Sequence, residues 1–220
     1  MKMLVVFEKK ERLRHIGHLD LMRAMQRALR RSDLPVRYSQ GYSPHMLLSF
    51  AAPLSVGMPG RREIMEVPLE KPIGRQVFMA RLAAALPPDL PVVDVIRVDD
   101  AHKSPMALLE AACFEAVMEQ APEGLAQAVA AFLAQETIPA VRKTKTGEKP
   151  CDLRPMIYDL KLDGNTLRMT LALCEQATCK PELLLSTLFG FAGIERPRML
   201  VTRTLLLGSR DNCFMPLEML

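Results

Sequence analysis

No run of about 20 uncharged apolar residues occurs in the chain, which excludes a membrane-spanning helix. The opening MKMLVVFEKKERLR holds only a short apolar patch before charges resume, too short for a secretory signal, so the expected location is the cytoplasm. Paired cysteine motifs are missing as well. The five cysteines, Cys113, Cys151, Cys174, Cys179 and Cys213, are odd in number and scattered, which suits a reducing compartment better than a disulfide framework. The spacing in CEQATC matches neither the CxxxCxxC that holds an iron–sulfur cluster nor a zinc ribbon, and no HExxH is present. Gly57-Met58-Pro59-Gly60 lacks the spacing of a phosphate loop, and there is no Gly-x-Ser-x-Gly nucleophile elbow. Together these absences predict a chain with no cofactor and no metal of its own.

What is present is enough for a folded protein. At 220 residues with 49% apolar content, one large or two small cores can form. Charge is unevenly spread: residues 1–50 carry ten Lys or Arg against four Asp or Glu, a surplus larger than the net +4 of the whole chain. A basic N-terminal part favours an anionic partner, nucleic acid above all, because neutralised phosphates release counterions. A solvated helix face reads equally well from the same residues.

The order of elements predicts the fold class. Residues 3–7 read as a strand, and residues 17–32 as a helix with Leu19, Met22, Met25, Ala28 and Leu29 at helical spacing. Residues 47–53 and 63–69 read as strands joined through Gly57, Pro59 and Gly60; the second alternates Ile64, Glu66 and Pro68 against Met65, Val67 and Leu69. A helix over 72–86, ended by Pro87 and Pro88, and a strand over 91–98 complete a βαββαβ order. After a break at 101–105, strand 110–118, helix 123–134 and strand 137–143 follow. A hairpin then turns at Asp163-Gly164-Asn165, between strands 156–162 and 166–173, before helix 181–189 and strand 198–207. The expectation is an α+β protein of tandem ferredoxin-like units, antiparallel sheets with helices on one face, divided into residues 1–103 and 104–220.

The chemistry gathers between His15 and Gly57, which holds three of the four histidines and two of the three tyrosines. Arg23, Arg27, Arg30 and Arg31 fall at i, i+4, i+7 and i+8, so they share one helix face and can form a phosphate ladder. Arg30 and Arg31 equally suit the negative end of the helix dipole. Beyond the stop at Asp33-Leu34-Pro35 comes the polar loop Tyr38-Ser39-Gln40-Gly41-Tyr42-Ser43-Pro44-His45. Gly41 permits positive φ and Pro44 holds Ser43 extended, so this loop presents its side chains in a fixed arrangement. Tyr38 and Tyr42 can stack on bases or serve as loop anchors. His15, His18 and His45 converge if the end of the first strand approaches the end of the loop. Zinc ligation, acid–base work in RNA cleavage, and hydrogen bonds that position helix and loop are the three roles open to them.

In the second half, Arg142-Lys-Thr-Lys-Thr-Gly-Glu-Lys149 reads as a basic, solvated loop, with Asp152 and Arg154 placed to pair locally before the next strand.

At these residues a resemblance stands out. RLRHIGHLDLMRAMQRALRRSDLPVRYSQGYSPHMLLSFAAPLSVG, together with the later DLRPMI, resembles the radical SAM-linked protein family, whose members occur beside or fused to the C-terminal side of a radical SAM protein. Members more often show Phe-Asn-Pro-His-Pro where this chain has Tyr42-Ser43-Pro44-His45-Met46; the histidine is kept and the asparagine is not. The resemblance implies a radical SAM partner and assigns no reaction. The expected function is therefore an RNA-binding, substrate-presenting module for that partner. In it, Arg23, Arg27, Arg30 and Arg31 meet phosphates, and Tyr38, Ser39, Gln40, Tyr42 and His45 read a nucleotide. The competing expectations are a metal-independent endoribonuclease using His15, His18 or His45, and a pure protein adaptor.

Overall fold

The computed structural model describes residues 1–144 and 147–220, with the backbone alone at Lys143 and Thr144. The chain divides into two compact units, Met1–Leu109 together with Leu205–Leu220, and Glu110–Thr204. Both combine helices with antiparallel strands, so the class is α+β. No helix among the described residues is long and apolar enough to cross a membrane.

In the first unit the elements run β1 (Lys2–Lys9), α1 (His18–Arg31), β2 (Ser49–Phe50), β3 (Gly60–Pro68), α2 (Arg75–Ala85), β4 (Val92–Val98) and the short α3 (Pro105–Leu108). Strand β1 lies between β3 and β4, antiparallel to both, and β2 pairs with β3. Met3–Phe7 are buried without a break, because β1 is the middle strand of the three and both of its faces are covered. Helix α1 buries Leu21, Met25, Ala28 and Leu29 and exposes its arginines. Leu19 is 60% exposed: it lies four residues before Arg23, on the arginine row, and not on the apolar stripe that its spacing suggests. The helix stops where Ser32 donates through its hydroxyl to Leu29 O and Asp33 takes φ 51°, a left-handed residue that ends the ladder.

Two further expectations change here. The strand expected over 47–53 shrinks to Ser49–Phe50, since Pro53 has no N–H to extend the ladder and the residues before it are drawn into a bridge between Tyr38 and Met46. Strand β3 alternates in sequence but not in burial: Glu63 and Glu66 are only 3% and 7% exposed. Neighbours cover the face that a two-layer reading leaves in solvent.

The second unit runs β5 (Ala111–Met118), α4 (Leu125–Leu133), β6 (Pro139–Thr144), β7 (Gly147–Asp152), β8 (Ile157–Asp163), β9 (Thr166–Ala172), α5 (Pro181–Ala192) and the first part of β10 (Met199–Arg210). Strand β9 pairs with both β5 and β8. The β8–β9 hairpin turns through Gly164 and Asn165 as expected, with Asn165 also bonded to Glu119 O and the Ala121 N–H. Helix α4 packs on α5 and β8, burying Leu125, Val129 and Phe132.

Residues 142–144 and 147–149 of the basic segment expected to be a loop are strand. Arg142 faces Lys149 across an antiparallel β6–β7 ladder, while Lys145 and Thr146 lie outside the described residues. Val141 and Cys151 alternate with charged residues there, and pairing absorbs backbone groups that a loop leaves to water. Asp152 does not bind the Arg154 guanidinium. Its carboxylate accepts the N–H groups of Ile138 at 2.7 Å and Arg154 at 2.9 Å, capping the turn at Arg154–Met156.

The last residues return to the first unit. Strand β11 (Cys213–Pro216) pairs with β10, and Glu218 accepts a fork of hydrogen bonds from Arg62 at 2.9 and 2.7 Å. Gly208 makes this possible: a Cβ there would stand 2.5 Å from Leu108 O and would collide with Leu220.

Candidate functional site

Backbone bonds build the Tyr38–Met46 loop before any side chain acts. The Ser39 N–H donates to His45 O at 2.8 Å and the Leu47 N–H to Arg37 O at 2.9 Å, closing the loop at its base. Gly41 has φ 127°, which a side chain rarely adopts, so the tip turns there as expected. The Ser39 hydroxyl lies between two groups of His45, accepting its backbone N–H at 3.0 Å and meeting Nδ1 at 2.8 Å. That contact holds Nδ1 of the ring against Ser39, with the donor set by the ring's tautomer. His45 and Gln40 are exposed, and Tyr42 stands wholly in solvent; Tyr38 is half-buried against the core.

A surface pocket of about 260 Å³ opens beside this loop, lined by His45, Leu47, Ser49, Glu66 and Pro68 among others. Sequence reasoning noted Glu66 only as one position in the alternation of Ile64, Glu66 and Pro68 and gave it no role. Its carboxylate accepts from Lys2 Nζ at 3.3 Å, and Lys2 also donates to His102 O at 3.0 Å. Only the register, Glu66 opposite Ser49, brings it to the pocket. Nearby, Arg37 donates to Leu69 O at 3.0 Å and stands 3.5 Å from Asp100. The amino terminus, first among the causes, and Arg37 hold the Asp100 carboxyl below the usual carboxylate range.

The arginines of α1 are all exposed and differ in their partners. Arg23 reaches Asp20 at 3.1 Å, one helical turn away, and Arg31 donates to Ala85 O at 2.6 Å. Arg27 and Arg30 have no hydrogen bond or ion pair among the described residues. None of the four lines the pocket beside His45.

The three histidines differ in their surroundings. His15 is exposed, while His18 packs edge-on against Phe50 with ring centroids 5.2 Å apart and a buried Nδ1 that has no partner among the described residues. Among the described residues no three His, Cys, Asp or Glu side chains stand close enough to hold a metal ion.

A second residue that sequence reasoning missed is Lys9. It is 1% exposed, and its ammonium donates to Arg14 O at 3.2 Å, Ile16 O at 2.8 Å and Met58 O at 3.4 Å. Lys9 thereby pins the turn that carries His15 and delivers the chain to α1. An inward lysine in a strand of apolar residues was the available signal, since a buried ammonium requires acceptors.

The fold and these features define an α+β protein with a basic, partly unpartnered helix face and a rigid loop that presents an oriented imidazole. Across residues 2–181 the chain matches the family described as "uncharacterized protein conserved in bacteria" (DUF2344), and it belongs to that family. The match takes in α1, the loop and the pocket. No curated protein matches the chain.

Proposed function

We propose that this protein is an RNA-binding accessory module that presents its RNA to a radical SAM enzyme. The observation that carries the RNA reading is the pair Arg27 and Arg30: two exposed guanidiniums, one helical turn apart, with no protein partner among the described residues. An unpaired, exposed arginine keeps its full set of donors for phosphate oxygens. The loop that follows α1 in sequence adds Tyr42, an exposed ring able to stack, and the exposed imidazole of His45. Both units are read as ferredoxin-like variants. The neighbour order β4-β1-β3-β2 in the first supports this, as does β10-β5-β9-β8 in the second with the β6–β7 ribbon inserted. The radical SAM partnership rests on the resemblance of the His15–Gly57 segment and DLRPMI alone.

Fluorescence anisotropy with single-stranded RNA, repeated across a salt series, tests the reading. Affinity should fall steeply with salt, and the Arg27→Ala, Arg30→Ala double variant should flatten the log–log slope by about 1.4, at ~0.7 for each phosphate left without its arginine. Absent or salt-insensitive binding overturns it.

The endoribonuclease reading has one observation in its favour, the oriented and exposed His45. RNA incubated with the protein in EDTA separates the two. Cleavage that disappears in His45→Ala replaces the binding reading, whereas intact RNA with retained affinity supports it. Co-purification of the radical SAM partner without nucleic acid would select the adaptor.

A further inference from the structure

The second unit holds a cavity of about 370 Å³, lined by Val141, Arg142, Lys180, Glu182, Leu183 and Ser186. Its charge is one-sided. Glu182, the single acid in the lining, is engaged by Arg196 through a two-pronged contact with both carboxylate oxygens. That contact, the first among the causes, also holds the Glu182 carboxyl below its usual range. Arg142 is half-buried and fixed in direction, because one guanidinium nitrogen donates to Thr178 O at 2.6 Å. The remaining donors of that planar group are left for another acceptor.

Lys180 is the more telling residue. It is exposed, has no partner among the described residues, and caps the N-terminus of the 12-residue α5. A cation at the positive end of a helix dipole is unfavourable, so nothing in the fold rewards its position. An anion between Lys180 and Arg142 removes that penalty. Val141 and Leu183 supply apolar walls, and Ser186 a hydroxyl. The volume falls in the range of small-molecule sites, ~300–1,000 Å³. We propose that this cavity binds a phosphate monoester of mononucleotide size, with Arg142 and Lys180 on the phosphate and the organic body against Val141 and Leu183. No residue of α1 lines the cavity, and the proposal does not rest on the RNA reading above.

Isothermal titration of the full chain with AMP and GMP, with adenosine and guanosine as phosphate-free controls, tests the proposal. The monophosphates should bind, the nucleosides should bind at least about tenfold more weakly, and Lys180→Met should weaken the monophosphates by about tenfold or more. Arg142→Met should do the same; because it also gives up the Thr178 bond, its melting curve is compared with that of the parent, and Lys180→Met, a surface change, keeps the result readable if the arginine variant unfolds. Arg27→Ala, Arg30→Ala should leave this binding unchanged, so the two sites fail or succeed separately. A 5′-phosphorylated RNA oligonucleotide, compared with its 5′-hydroxyl form in the Arg27→Ala, Arg30→Ala background, identifies the source. A phosphate-dependent gain over AMP assigns the site to an RNA end, and no gain assigns it to a free nucleotide. Equal binding of nucleoside and monophosphate, or affinity that ignores Lys180→Met, overturns the proposal.

Discussion

A lysine ammonium surrounded by Arg14 O, Ile16 O and Met58 O, as at Lys9, does what a bound cation does elsewhere: it draws two backbone segments, one at residues 14–16 and one at Met58, to one point. Lys9→Met keeps the length of the side chain and removes the donors. It should cost about 2–3 kcal/mol in urea unfolding, the scale set by leaving buried acceptors unpaired. Ser39→Ala is a gentler test of the loop. It should cost about 1 kcal/mol or less and shift the His45 ring away from a single tautomer, read from its two nitrogen chemical shifts by NMR. A ring whose nitrogen shifts do not change would show that Ser39 does not set the tautomer. The thiols also have distinct expected behaviour. Cys213 is exposed, whereas burial pushes the Cys179 thiol up to about 12. A disulfide reagent at neutral pH should therefore modify Cys213 in the native protein and reach Cys179 only on unfolding, and Cys213→Ser should remove the fast phase.

At the scale of elements, helices were legible and several strand environments were not. The period of Leu19, Met22, Met25, Ala28 and Leu29 locates α1 within a residue at each end, although Leu19 itself faces solvent and Leu21 is buried, and Gly164-Asn165 locates the β8–β9 turn. The loop, too, could be read from Gly41 and Pro44, because local dihedral constraints are written in local residues. What escaped depends on partners distant in sequence. Burial of Glu66 needs Lys2 across the sheet, and the β6–β7 ribbon arises from pairing in a segment whose composition resembles a solvated loop. Two tests belong to this scale. Arg27→Ala, Arg30→Ala should change stability by about 0.5 kcal/mol or less, since neither side chain has a partner among the described residues to lose, while RNA affinity drops. The Glu182–Arg196 pair is linked to pH. A carboxyl whose folded pKa is depressed stabilises above its unfolded value, ~4.3, and that contribution is lost as pH falls through the lower folded value. The melting temperatures of the parent and Glu182→Gln should accordingly differ near neutrality and converge as pH falls through the lowered folded value, by a small margin because the carboxylate is largely exposed.

At the scale of the whole molecule, the surplus of positive charge is modest, and its placement carries more information than its size. The first unit concentrates it on α1; the second keeps Arg142 and Lys180 beside one cavity. The first unit is also discontinuous, closed by residues from the end of the chain. Removing residues 211–220 deletes β11, the Arg62–Glu218 pair and the packing of Leu217 and Leu220 against Gly208. Hydrogen exchange in the truncated chain should then speed up in β3, where Arg62 resides, and not in the β8–β9 hairpin. Equal protection in both chains would show that the tail is an ornament of the unit and no part of its closure.

Because Glu218 is the mate of Arg62, a ribosome must add 156 residues after Arg62 before that fork can form. The amino-terminal half therefore waits, incompletely sealed, through translation of everything that follows, while Glu110–Thr204 emerges whole before the tail arrives. Nascent chains halted before residue 211 should be digested by protease more readily within residues 1–109 than chains that include residues 211–220.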